Sequence, residues 1–156
     1  MTESGTGPGT DGVPAALAEI IEEFHALAER DRLQLLLEFS DGLPPLPPEL
    51  AGHRDRMEPV AECQSPVFLA VEVDDDAGRT VHVHFDAPPQ APTTRAFAGI
   101  LTEGLDGLSA REVLQVPDDV PSRLGLTDAV SPLRLRGMTG MLARIKRQVR
   151  ERTAAG

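Results

Sequence analysis

Pro66-Val67-Phe68-Leu69-Ala70-Val71-Glu72-Val73-Asp74-Asp75-Asp76-Ala77-Gly78-Arg79-Thr80-Val81-His82-Val83-His84-Phe85 is the stretch that decides the fold. Val67, Leu69, Val71 and Val73 alternate along its first run; Val81, Val83 and Phe85 alternate along the second. A period of two puts each set on one face of a strand. Asp74 to Gly78 reads as the turn, because short acidic side chains and glycine tolerate a reversed backbone. The result is an antiparallel hairpin with one buried face, leaving His82 and His84 on the solvent side. Arg54 to Val60 is a candidate third strand.

Helical periods lie on either side. Pro14 opens one with Leu17, Ile20, Ile21, Phe24, Leu27 and Ala28 inward. Asp31 is the expected cap of a second, with Leu33, Leu36 and Leu37 inward and Asp41-Gly42 at its end. Leu43 to Leu50 is too rich in proline for either regular element. It reads as a stiff strap whose leucines pack on the core, or as a polyproline ligand for a partner groove. Thr93 or Thr94 is expected to cap a helix carrying Ala96, Phe97, Ile100, Leu101 and Leu105. Ser109 and Glu112 have the spacing of a capping box, and Pro117 to Leu126 reads as loop and turn. A last helix starts at Ser131-Pro132, with Leu135, Met138, Met141, Leu142, Ile145 and Val149 inward.

Helices, then a sheet, then helices describe an α+β domain, a small antiparallel sheet of about three strands packed on one side by helices. It should span residues 14–152, with a disordered N-terminal tail over 1–13 and a disordered C-terminal end over 153–156. No leader pattern or membrane-length apolar run is visible, so the expectation is a cytoplasmic protein away from membranes.

The net charge of −10 disfavours a phosphate backbone as partner, so nucleic acid is not expected. The charge is uneven: seven of the 15 basic residues fall from Arg134 onward, with Glu151 the one acid there. That asymmetry suits docking onto a complementary protein, or simply a solvated basic face. With five Phe and no Trp or Tyr, the chain lacks aromatic anchors for a strong permanent interface, and a monomer or weak dimer is expected.

Cys63 is the single cysteine, in Met57-Glu58-Pro59-Val60-Ala61-Glu62-Cys63-Gln64-Ser65-Pro66. It sits at a loop tip feeding the first hairpin strand. A lone thiol there is either a small buried hydrophobe or a presented nucleophile. No disulfide can form within the chain. His25, His53, His82 and His84 lack the spacing of a structural metal site, so neither metal nor cofactor is expected. Phosphate-binding glycine loops and a GxSxG elbow are absent as well.

Glu62-Cys63-Gln64-Ser65 leading into Pro66-Val67-Phe68-Leu69 resembles the active-site loop of the SufE family, where Gly-Cys-Gln-Ser precedes a hydrophobic strand. Leu35 to Leu50 and Thr94 to Leu105 resemble further family segments. Ser131 to Met138 resembles the family's Pro-x-Arg-x-x-Gly-(Leu/Met) opening of the last helix. Together these reach from about Pro14 to Arg150. The resemblance implies a SufE/IscU-like fold. It also implies a non-enzymatic sulfur acceptor that stimulates a PLP-dependent, SufS-type cysteine desulfurase. Cys63 would take persulfide sulfur and pass it to a SufB-containing scaffold complex. The family tucks this sulfur against apolar residues when free. Arg134 matches a family arginine implicated in meeting the desulfurase. Gln64 and Ser65 match loop positions, and with Glu62 they are the residues expected to serve docking and loop support.

Glu62 departs from the usual glycine. A carboxylate beside Cys63 disfavours the thiolate, so activation is expected to come from the partner on docking. The loss of glycine could also stiffen the loop. The competing readings are an IscU-like-fold interaction module, or a thiol redox protein whose cysteine carries no sulfur. A cluster scaffold needs several thiolates, and a redox sensor needs a basic neighbourhood.

Overall fold

The computed structural model describes residues 10–154. Its centre is an antiparallel sheet in the order β1 (Glu58–Pro59), β2 (Phe68–Val73), β3 (Val81–Asp86). β2 and β3 pair from Phe68 with Asp86 to Val73 with Val81, the hairpin that the alternation specifies. Leu69, Val71, Val81, Val83 and Phe85 are buried on one face. α3 (Pro92–Leu105) and α6 (Pro132–Ala154) pack against the sheet, and α1 (Ala15–Ala26) and α2 (Glu29–Asp41) lie on α3. Two short helices, α4 (Ala110–Leu114) and α5 (Val120–Arg123), brace α6. The capping box at Ser109 and Glu112 is formed. Leu50, Met57 and Leu46 cover Phe68 and Ala70 on the opposite face, so residues 43–50 are a covering strap. No helix among the described residues is long and apolar enough to cross a membrane.

Several local expectations are corrected. α1 stops at Ala26; Leu27 is extended, and Ala28, not Asp31, is the residue that precedes α2. Leu33 and Leu37 are 47% and 44% exposed, while Leu36, Phe39 and Ser40 face inward. Two helical phases compete in this leucine-rich stretch. Gly99 of α3 selects between them: a methyl group there would lie 2.3 Å from the Phe39 carbonyl oxygen, so α2 sits on α3 at Phe39. α3 starts at Pro92, whose ring pre-sets the helical φ, and Thr94 is buried inside the first turn instead of capping. Residues 117–126 contain α5. Of the candidate third strand only Glu58–Pro59 is β; Arg54–Arg56 is a 3-10 turn.

The described residues reach beyond both ends of the expected 14–152 span. Thr10 is 5% exposed and Val13 packs on the core. Residues 1–9 of the expected N-terminal tail lie outside the described residues. α6 runs through Ala154, two residues past the expected end, while residues 155–156 lie outside the described residues.

Because β1 is only two residues long, most of β2 has no strand on that side. An open edge needs partners for its peptide groups. Two α6 side chains provide them: Gln148 Oε1 accepts from Val71 N–H at 3.0 Å, and Arg152 Nε donates to the Val71 carbonyl. On the other edge, Val81 bonds to Leu108 and Gly107 backbone, and Asp106 Oδ1 accepts from Val83 N–H at 2.8 Å. Gln148 is itself 6% exposed. Replacing it with Leu leaves Val71 N–H buried without an acceptor. The expected cost is about 1–3 kcal/mol in urea unfolding; an unchanged midpoint would show that another acceptor serves that edge.

Candidate functional site

Cys63 sits at the tip of the loop joining β1 to β2. Glu58 pairs with Leu69 and Pro59 with Phe68, and Val60 N–H then bonds the Val67 carbonyl at 2.9 Å. Val60 and Val67 are 2% and 1% exposed, so the loop's base is anchored in the core. Ala61–Cys63 forms a 3-10 turn, closed by Cys63 N–H to the Val60 carbonyl at 3.1 Å. Gln64 follows at φ 59°, in the left-handed region that reverses the chain. The glycine replaced by Glu62 is therefore not missed for its backbone freedom, because the positive φ falls one residue beyond Cys63.

α6 receives this tip in a notch made by two glycines. A methyl group at Gly137 would lie 3.2 Å from Cys63 Sγ, and one at Gly140 would lie 2.8 Å from Glu62 Cδ. The thiol points at the Gly137 carbonyl, 3.8 Å away. One turn along, Arg144 Nη1 is 2.8 Å from Glu62 Oε1, and Arg144 Nε is 3.5 Å from Glu58 Oε2. Glu58 also receives a hydrogen bond from Gln148 at 2.8 Å and another from Arg147.

Burial pushes the Cys63 thiol up to about 11, with the Glu62 charge adding to it and Arg144 opposing. Burial thus outweighs the carboxylate that the sequence reading singled out. Arg144 and the loop's own backbone hold the Glu62 carboxyl below the usual range. Burial works to raise Glu58, but bonds from Gln148 and Arg147 outweigh it and lower the group. Carboxyls depressed by native partners stabilise the fold above their ordinary range and lose that contribution as acid protonates them.

Glu62, Cys63, Gln64, Ser65 and Arg134 line one recess of about 410 Å³, together with Ser131 and Leu133. The residues singled out in sequence therefore share a surface. Arg134 is exposed at the start of α6, where its backbone N–H bonds Ser131 Oγ at 3.3 Å. His82 and His84 each pair with a carboxylate, their Nε2 atoms lying 2.8 Å and 2.9 Å from Asp74 and Glu72. Arg144, Gly137 and Gly140 were missed as contacts of the loop. Their signal was Gly-x-x-Gly inside a helix with an arginine four residues on, since interior glycine costs about 1 kcal/mol and marks a close approach.

Known proteins resemble this chain over most of its length. Residues 18–149 match the family described as SufE, Fe-S metabolism associated domain. An uncharacterized SufE-like protein of Mycobacterium tuberculosis (strain CDC 1551 / Oshkosh) is 53% identical over 139 residues, 89% of this chain and 94% of that one. A chloroplastic/mitochondrial SufE-like protein of Arabidopsis thaliana is 27% identical over 83% of this chain and 33% of its own length. The solution structure of a hypothetical protein from Thermus thermophilus superposes with a TM-score of 0.75 at 42% identity, covering 89% of this chain and 96% of that one.

A thiol held near 11 is on the order of one part in a thousand ionised at pH 8. Alkylation of Cys63 in the free protein is expected to climb about tenfold per pH unit from neutrality toward that value. A plateau reached by pH 8 would contradict the shielded geometry.

Proposed function

The chain belongs to the SufE family of iron–sulfur metabolism, and from that premise we propose that it accepts persulfide sulfur on Cys63 from a PLP-dependent, SufS-type cysteine desulfurase. The observation that carries this reading is one thiol, shielded at a loop tip on a core-anchored hairpin, in a recess shared with Arg134.

In the transfer, the Cys63 thiolate attacks the outer sulfur of the desulfurase persulfide. The sulfur–sulfur bond on the desulfurase breaks, its cysteine leaves as thiolate, and a new sulfur–sulfur bond forms on Cys63. The proton given up by Cys63 is matched by the one the leaving thiolate takes up, and nothing is oxidised or reduced overall. A second exchange of the same kind hands the sulfur to a SufB-containing scaffold in the cytoplasm. The protein is an accessory carrier in this scheme and turns over no substrate alone.

The lone cysteine supports the scheme, since a resolving thiol would discharge a persulfide as a disulfide. Arg134 is assigned to meeting the desulfurase, and Gln64 and Ser65 to shaping the loop around the sulfur. A redox sensor fits poorly, because oxidation follows thiolate character and this thiol is pushed the other way.

Intact mass after incubation with the cognate desulfurase and free cysteine tests the reading. Wild type is expected to gain one sulfur, Cys63→Ser none. Arg134→Ala is expected to load more slowly while its free thiol alkylates as wild type does. No gain beside a demonstrably active desulfurase removes the proposal.

A further inference from the structure

We propose that Arg144 is a positioning residue acting through Glu62: the pair is a releasable latch that holds Cys63 in its seat on α6, and parting it frees the thiol beside a guanidinium no longer neutralised by Glu62. The inference deepens the sulfur-carrier reading and rests on it for its purpose.

Three observations carry it. The Glu62 carboxylate occupies the space a side chain at position 140 would need, since a Cβ added at Gly140 would lie 3.0 Å from both its oxygens. The same turn presses Cys63 onto Gly137, so displacing the Glu62 carboxylate loosens the seat of the thiol beside it. The third is that the ion pair is imperfect. Glu62 Oε1 and Arg144 Nε are both shut away from water without an aligned hydrogen bond, although Oε1 lies 2.8 Å from Arg144 Nη1 and Nε lies 3.5 Å from Glu58 Oε2. Buried polar atoms without aligned partners are costly, and water would satisfy both on opening. Charge therefore closes the latch while incomplete hydrogen bonding keeps it from locking.

The charges on every side of the loop define what opening does. Glu58 on β1 faces Arg144 and Arg147 on α6, Glu62 faces Arg144, and Arg134 lines the recess. Arg147 and Gln148 already engage Glu58. When Glu62 leaves, Arg144 has only a shared carboxylate and its positive charge falls on Cys63. A partner that offers Glu62 a lysine or arginine would exchange one ion pair for another. It would open the seat and favour the thiolate in the same movement.

The test uses the free, full-length chain and iodoacetamide across pH, with Glu62→Gln, Gly140→Ala and Arg144→Met. Glu62→Gln is expected to raise alkylation at pH 8 about tenfold and lower the midpoint. Gly140→Ala leaves every charge in place and improves helix propensity, yet should also speed alkylation by evicting the carboxylate. Arg144→Met should speed alkylation through opening, but with Glu62 still charged and the guanidinium gone its midpoint should fall less than in Glu62→Gln, an asymmetry a merely structural role does not produce. Unchanged rates in both Glu62→Gln and Gly140→Ala overturn the latch, as does a midpoint in Arg144→Met that falls as far as in Glu62→Gln. Sulfur loading by mass keeps the two ideas apart. Normal loading with unchanged alkylation removes the latch alone, whereas wild type that never loads while alkylation responds removes the carrier reading alone.

Discussion

The bond from Val71 N–H to Gln148 fixes α6 against the sheet, and the site depends on that placement. β1 ends after two residues, so β2 must find its missing hydrogen bonds elsewhere. Gln148 and Arg152, four apart on one helical stripe, take the place of a strand. Once Gln148 is set, the same stripe places Arg144 over Glu58 and Glu62, and Gly140 and Gly137 beneath the loop tip. The distance from Gln148 to Gly137 is about 16 Å of helix at 1.5 Å per residue. A rigid rod pinned at one end thus presents a notch at the other, and Cys63 falls into it.

The same stripe explains where the basic C-terminal charge goes. The seven bases look in sequence like a docking face or a solvated one. Four are used internally: Arg144 on Glu62, Lys146 on Asp118 and the Val116 carbonyl, Arg147 on Glu58, Arg152 on Val71. Lys146 is only 6% exposed, its charge held by those two oxygens. Arg134, Arg136 and Arg150 remain on the surface, and of these Arg134 lines the cysteine recess. The counts were right, but long side chains folded most of the charge back onto the domain.

What could be read from the chain was local. Alternation in residues 66–85 gave the hairpin, and Ser109 with Glu112 gave a real capping box, because each signal is complete within a few residues. The recess residues Glu62, Cys63, Gln64, Ser65 and Arg134 came from motif resemblance. What failed were choices made between elements. Leu33 and Leu37 were assigned inward because their spacing permits it; Gly99, on a helix far along the chain, decides otherwise. Arg144 was hidden for the same reason, since nothing near it in sequence names Glu62 as its partner.

Burial, more than the neighbouring charge, suppresses the Cys63 thiol, and that ordering constrains how any partner can activate it. If Glu62 were the larger cause, a cation approaching from solvent could ionise the sulfur in place. With burial first, cancelling the carboxylate's charge while the tip stays seated leaves the thiol mostly protonated. The tip has to move. The hinge available is the short turn beyond Val60 and before Val67, since both valines are locked in the core and paired across the loop base. Two helix-interior glycines, each costing about 1 kcal/mol of helix stability, are the concession that lets so short a loop hide its sulfur and still release it.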